Sequence, residues 1–255
     1  MRVTFLGTGT SQGVPPIGCT SPVCLSLDPR DKRLRSSIWL EWEGRSIVID
    51  AGPDFRYQMI RAGVKRLDAI LFTHEHRDHT AGLDDIRPFN YRQKEPIPVF
   101  LHPRVLESLK GQFAYLFAEN PYPGIPDVDF RLIENLEFDL LGLRVTPIEV
   151  LHYKLPVFGF RFGPFAYVTD ANRIDESELA KLNGVEVLVL NALRREPHIS
   201  HFTLDEAVAI AKKVGAKQTY FTHMSHQIGL HEEVCAELPV GIDLAYDGLV
   251  LTWPD

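Results

Sequence analysis

The chain is short of cysteine: three among 255 residues, an odd count that argues against a disulfide framework and leaves Cys19 and Cys24 for another use. It also has no apolar run near the roughly 18 to 20 residues that a membrane span needs. Its start, MRVTFLGTGT, reads as a strand and a glycine turn, not as a basic segment leading into an apolar signal. Both absences point to a cytoplasmic protein with no membrane partner. Positive charge is in deficit as well, since 27 Lys and Arg face 34 Asp and Glu for a net charge of -7. General attraction for a polyanion is thereby excluded, and nucleic acid is not an expected partner unless a local basic patch forms. Internal repeats, low-complexity tracts and Gly/Ser linkers are missing too. A single domain over residues 1–255 is expected, and 45% hydrophobic residues are enough to fill one large core.

What is present is a series of short apolar runs separated by Pro and Gly. Strands are expected at Val3 to Leu6, Ile38 to Trp42, Ser46 to Ile49, Ala69 to Phe72, Val99 to Leu101, Leu143 to Val150, Gly159 to Phe162, Phe165 to Val168, Val185 to Leu190 and Gln218 to Phe221. Several are unbroken Val, Ile, Leu and Phe runs, as strands covered on both faces require. Helical patterns fall at Tyr57 to Ala62, Val105 to Phe117, Glu176 to Leu182 and Leu204 to Val214, the last opened by Thr203 with Glu206 and closed by Gly215. HEEVCAEL, around Cys235, reads as one more helix with its cysteine in the core. Alternating strands and helices imply a layered α/β fold. The proline-rich NPYPGIPDVD, Asn120 to Asp129, is expected as a loop near the functional site.

The densest chemistry lies in AILFTHEHRDHTAGLDD. Histidines two apart, His74 and His76, point to opposite faces of a strand, so they converge only if the chain turns after Phe72. The run therefore reads as a loop at the carboxyl end of a buried strand, with a solvated polar loop as the plain alternative. The pattern recurs: His152 follows LRVTPIEVL, Asp170 follows FAYVT, and His223 follows QTYFT. Imidazole and carboxylate at four strand ends suit zinc, manganese or iron, and a distant aspartate is suited to bridge two cations.

THEHRDH resembles the H-x-H-x-D-H signature of the metallo-β-lactamase superfamily, and DAGPDF, His152, TDA and THMSHQ extend that resemblance along the chain. The resemblance implies a four-layer αββα sandwich. It also implies two divalent cations, zinc or manganese, one on His74, His76 and His152 and the other on Asp78, His79 and His223, with Asp170 bridging. Asp50 either holds its turn or hydrogen-bonds a ligand histidine, and the supporting role is the expected one.

GTGTSQGVPPIGCTSPVC together with THMSHQ is similar to the branch that includes the cyclic-phosphate phosphodiesterase of phosphonate breakdown. Relatives there hold a structural zinc with C-x-C-x-x-C and a histidine. Cys19, Cys24 and His226 match, but Ser21 replaces the middle cysteine, so weak or absent zinc is expected. The same resemblance implies that His201, in HISHFTLDEA, is a proton donor, with Asp78 counted beside it among the catalytic residues. His201 precedes a helix start that favours phosphate, His198 is its rival, and a capping hydrogen bond is the alternative reading. Lys154 and Arg173 are phosphate-binding candidates, with Arg194 a further scattered cation near the site; Arg35 is a weaker one.

The expected activity is hydrolysis of a small cyclic or nucleotide-like phosphodiester by a hydroxide shared between the metals. Two alternatives stand beside it. One is a transfer RNA 3′-end endonuclease, disfavoured by the lack of a basic arm, and the other a non-hydrolytic carrier of cofactor biosynthesis. Phe113, Tyr115, Phe117 and Tyr122 are candidates for a substrate pocket, a homodimer contact or plain core.

Overall fold

The computed structural model describes residues 1–120 and 122–253. In chain order its strands are β1 (Arg2–Gly7), β2 (Ser37–Trp42), β3 (Arg45–Ile49), β4 (Ala69–Leu71), β5 (Ile97–Leu101), β6 (Val128–Leu132), β7 (Phe138–Leu140), β8 (Leu143–His152), β9 (Leu155–Phe162), β10 (Phe165–Val168), β11 (Val187–Asn191), β12 (Gln218–Thr222), β13 (Ile242–Leu244) and β14 (Val250–Thr252). Contacts gather into two compact units. One holds Met1–Gly7, Ser37–Glu134 and the residues from Gly248 on, the other Thr8–Ser36 and Asn135–Asp247.

The first unit carries a seven-stranded sheet in the order β14-β1-β2-β3-β4-β5-β6. β14, β1, β2 and β3 pair antiparallel, and β3 through β6 pair parallel. The β2–β3 hairpin turns on Glu43 and Gly44, at φ 46° and 73°, between the paired residues Trp42 and Arg45. Positive φ at both positions is what a two-residue type I′ turn needs, and it matches the strand twist. Phe55 and Met59 of the helix Phe55–Ala62 pack with Val48 and Ile70 of the sheet and with Leu83, Ile86 and Phe89.

The second unit repeats the plan with its own seven strands, ordered β13-β12-β11-β10-β9-β8-β7. β10 through β13 run parallel, while β7, β8, β9 and β10 are antiparallel neighbours. The helix Leu204–Val214 has the expected capping box, Thr203 with Glu206, and ends at Gly215 in the left-handed region. Its Leu204, Ala207 and Ala211 face Leu188, Leu190 and Phe221 of the sheet. Two sheets flanked by helices are the expected α/β class. Among the described residues no helix is long and apolar enough to cross a membrane.

All ten expected strands are present, most with ends shifted by a residue or two. Four others, β6, β7, β13 and β14, carry little sequence signal because they are short sheet-edge strands, three of them with only three residues. The helix expected from Val105 to Phe117 instead runs Pro103–Gln112, where Pro103 takes the first turn, and gives way to a 3-10 turn at Ala114–Phe117. In the segment Asn120 to Asp129, β6 already begins at Val128, and Pro121 lies outside the described residues.

Backbone packing ties the turn after β3 to the histidine loop. Ala51 N donates to His79 O at 2.7 Å, and Gly82 N donates to Ala51 O at 2.8 Å. A Cβ on Gly82 would lie 2.2 Å from Gly52 O and 2.7 Å from Phe55 Cβ. Gly82→Ala is therefore expected to destabilise the protein by about 2 kcal/mol, in the range of overpacked core substitutions. Urea denaturation measures it, and a midpoint equal to wild type would contradict the packing described.

Candidate functional site

The parallel half of each sheet delivers side chains at strand carboxyl ends, where α/β folds usually bind ligands. β3 leads to Asp50, β4 to Thr73 and His74, β10 to Asp170 and β12 to His223. Asp50, Asp170 and His223 all hold positive φ, at 64°, 55° and 57°. Such non-glycine residues store strain that the surrounding structure must over-determine, and they concentrate at functional sites.

In the first unit Asp50 is fully buried and is the hub. Its Oδ2 lies 2.7 Å from His79 Nδ1, and its Oδ1 accepts from Thr73 N at 2.9 Å. Thr73 Oγ1 donates to the same carboxylate and lies 2.9 Å from His74 Nδ1. With the carboxylate ionised, His79 Nδ1 must donate to it. Thr73 has a single hydroxyl proton; once that goes to Asp50, His74 Nδ1 donates to Thr73 Oγ1. Both imidazoles are thus fixed with Nδ1 protonated and Nε2 holding a lone pair, the form that ligates a metal. Burial pushes the Asp50 carboxyl up from its ordinary range, while His79 and Thr73 act against that rise.

The turn expected after Phe72 is present. β4 ends at Leu71, and a four-residue helix, Arg77–Thr80, follows with His76 as its N-cap. The His74 and His76 rings come to 4.6 Å between centroids and His74 and His79 to 4.3 Å. Asp78 Oδ2 is 3.2 Å from His79 Nε2. His74 and His79 are buried, whereas His76 is exposed.

In the second unit His152, Asp170 and His201 bring one ligand atom each within 4.8 Å of the others. His152 Nδ1 lies 2.8 Å from Ser200 O. A carbonyl only accepts, so this nitrogen donates and Nε2 again keeps the lone pair. Asp170 Oδ1 lies 3.2 Å from His223 Nε2 and 3.1 Å from His201 Nε2. The His201 ring stacks on His223 at 4.9 Å, and its Nδ1 lies 3.1 Å from both His198 Nδ1 and Ser200 Oγ. Burial and the neighbouring His201 lower the pKa of His198. Imidazole nitrogens and carboxylate oxygens presented this way fit zinc or manganese.

Two supporting residues escaped the sequence reading. Thr73 links Asp50 to His74 as described, and Asn191 pins the turn after Asp170. Its Oδ1 accepts from Ala171 N at 2.7 Å and its Nδ2 donates to Ala171 O at 2.9 Å. The available signal was a polar residue directly after an apolar strand run, ILF before Thr73 and VLVL before Asn191.

The phosphate candidates are engaged elsewhere. Arg173 Nε pairs with Asp175 at 2.8 Å, Lys154 Nζ lies over the Tyr153 ring, and Arg194 bonds Glu196 O, Pro197 O and Gln227. Arg35 Nε donates to Ser11 O. The helix start after His201 is also largely satisfied. Thr203 N and Glu206 N are used by the capping box, and Leu204 N donates to Arg194 O. The aromatic segment splits: Phe113 is buried, Phe117 stacks on Phe130 at 5.3 Å, Tyr115 bonds Asp84, and Tyr122 is exposed.

The chain belongs to the beta-lactamase superfamily: the family described as "Beta-lactamase superfamily domain" matches residues 45–224. It is similar to a solved diphosphatase of the PhnP family, 42% identical with a TM-score of 0.93, over 99% of this chain and 98% of that one. An octanoyltransferase of Porphyromonas gingivalis is 39% identical over 98% of this chain but only 51% of its own length. The chain thus spans about half of that relative. A ribonuclease Z of Bradyrhizobium diazoefficiens is 30% identical over 63% of this chain and 49% of that protein.

Away from these clusters, Cys19, Cys24 and His226 place their ligand atoms within 4.8 Å of one another. His226 Nδ1 is buried without a hydrogen-bond partner among the described residues, which suits a ligand nitrogen. Ser21, however, caps the short helix Pro22–Leu25 by accepting from Cys24 N, and Cys19 Sγ donates to the same hydroxyl at 3.4 Å. Hydrogen bonds from Cys24 and Ser21 lower the Cys19 thiol pKa, while burial raises that of Cys24. A closed structural zinc site has four protein ligands, and among the described residues three strong donors meet here. Zinc at this position is expected to be lost on dialysis against a chelator. Zinc that survives chelation in wild type and disappears in Cys19→Ala would contradict this.

Proposed function

We propose that the chain is a dinuclear metal-dependent phosphodiesterase acting on a small cyclic or nucleotide-like phosphodiester, its two units working as one hydrolase domain over residues 1–255. In this reading His74, His76 and His152 hold one cation and Asp78, His79 and His223 the other, with Asp170 shared. Membership of the superfamily and likeness to a PhnP-family diphosphatase support the reading. Zinc or manganese bound there would lower the pKa of water toward about 7 and offset charge on phosphoryl oxygens.

The observation that carries the diesterase reading is His201. It is a buried imidazole outside the seven-residue ligand set, 3.1 Å from Asp170 Oδ1 and backed by His198 and Ser200. That placement suits it to protonate a departing alkoxide beside the shared carboxylate. His198 and Ser200 orient the ring through Nδ1 and leave Nε2 facing the site. Asp78 completes its ligand set and sits against His79 Nε2. Arg173 and Lys154 are the cations assigned to a phosphate oxygen in this reading, each after releasing its present contact.

The ribonuclease relative raises RNA as a second substrate class. Gripping a folded RNA needs several unpaired cations on one face, each adding to a steep salt dependence. This chain carries a net charge of -7, and Arg173 and Arg194 are tied to neighbours. A compact diester, drawing on the metals for its charge, fits better.

His201→Ala is expected to lower turnover of a diester with a poor leaving group by about a hundredfold, within the usual contribution of a general acid, and to leave metal content unchanged. Steady-state kinetics on bis-p-nitrophenyl phosphate and an alkyl diester measure this. Wild-type turnover in the variant contradicts the assignment, as does an enzyme that ignores small diesters yet cleaves precursor transfer RNA.

A further inference from the structure

Every tryptophan of the chain lines one cavity. Trp39, Trp42 and Trp253 border a pocket of about 560 Å³ in the first unit, a volume within the usual range for small-molecule sites. It lies where β1 begins at Arg2, β2 ends at Trp42, β3 begins at Arg45 and β14 ends at Thr252. Asp50 follows the other end of β3, five residues along and so about 17 Å away at the rise of an extended strand. The pocket is therefore separate from the histidine loop of its own unit.

Its charge is opposite to that of the chain. Arg2, Arg45, Lys65 and Arg66 line it against two acidic side chains, Glu41 and Glu43. Arg2 is paired with Glu41 at 2.8 Å, and Arg66 with Asp68 at 2.7 Å. Arg45 reaches only within 3.8 Å of the same Asp68 carboxylate. Lys65 is exposed and has no ion-pair or hydrogen-bond partner among the described residues. The aromatic wall is partly fixed, since Trp39 Nε1 donates to Ser46 Oγ at 2.7 Å and Arg2 lies over its ring, and Trp42 is held at the rim by the tight Glu43-Gly44 turn.

These features select a ligand. An apolar molecule would leave Lys65 without counter-charge, and a polyanion needs more unpaired cations than this pocket offers. A bare anion would make no use of the indole faces, which bind planar rings by stacking. We propose that this pocket is a second binding site, for a mononucleotide-sized ligand: a planar aromatic ring carried on the tryptophans with a single phosphate on Lys65. The proposal does not depend on the diesterase reading, because none of these residues belongs to the metal-ligand sets.

Tryptophan fluorescence reads this pocket alone. Titration of the whole protein with adenosine monophosphate is expected to give a saturable change. Adenosine and inorganic phosphate should each bind about tenfold or more weaker, as loss of one good contact implies. Lys65→Ala should weaken the nucleotide by a similar factor without altering the response to adenosine, and Lys65→Arg should retain most of the affinity. No saturable change with the nucleotide, or an unchanged affinity in Lys65→Ala, overturns the proposal. So does inorganic phosphate binding as tightly as the nucleotide, which would make this a plain anion site.

Discussion

A buried carboxylate in a left-handed turn sets the direction of two imidazoles. Asp50 has no access to water, and burying it without partners would be costly. His79 Nδ1, Thr73 N and Thr73 Oγ1 supply those partners, and in doing so they lose the freedom to point elsewhere. The cost of burial becomes orientation: His74 and His79 present Nε2 because Asp50 and Thr73 have claimed Nδ1. The backbone follows the same logic, since Ala51 bonds His79 O and a glycine at position 82 lets the two segments touch.

The second unit solves the same problem with different groups. Ser200 O fixes the tautomer of His152, and Asn191 grips both polar atoms of Ala171 next to Asp170. Asp170 and His223 leave their parallel strands through positive φ, which turns each side chain out of the strand's alternation. Each unit thus delivers a rigid set of nitrogen and oxygen donors from strand ends, with mobility removed by hydrogen bonds one step behind the donors. Preorganisation of this kind is what a metal site requires of its scaffold.

The parts of this plan legible in the sequence were those with strong local signals. Unbroken apolar runs gave the central strands, Thr203 with Glu206 gave the helix start, and the crowding from His74 to His79 marked the loop. The short edge strands carried too few apolar residues to register, and the break at Phe113 in the expected long helix falls two residues after Gly111, a stop signal that the apolar pattern running on to Phe117 masked. Thr73 and Asn191 were missed because their roles depend on partners 23 and 20 residues away. The phosphate-favouring helix start is a case where a correct local reading led to an incomplete conclusion, because the capping box that marks the helix also occupies its N–H groups. Nothing local to Trp39, Trp42 or Trp253 announced a shared cavity, which exists only once β14 pairs with β1.

The proposed dinuclear reading rests on Asp170 being shared between two cations. Elemental analysis of metal-replete protein, beside the Asp170→Ala variant, tests this most directly. Two equivalents per chain in the wild type and at most one in a folded variant are predicted. One equivalent or fewer in the wild type, or two retained without Asp170, would contradict it.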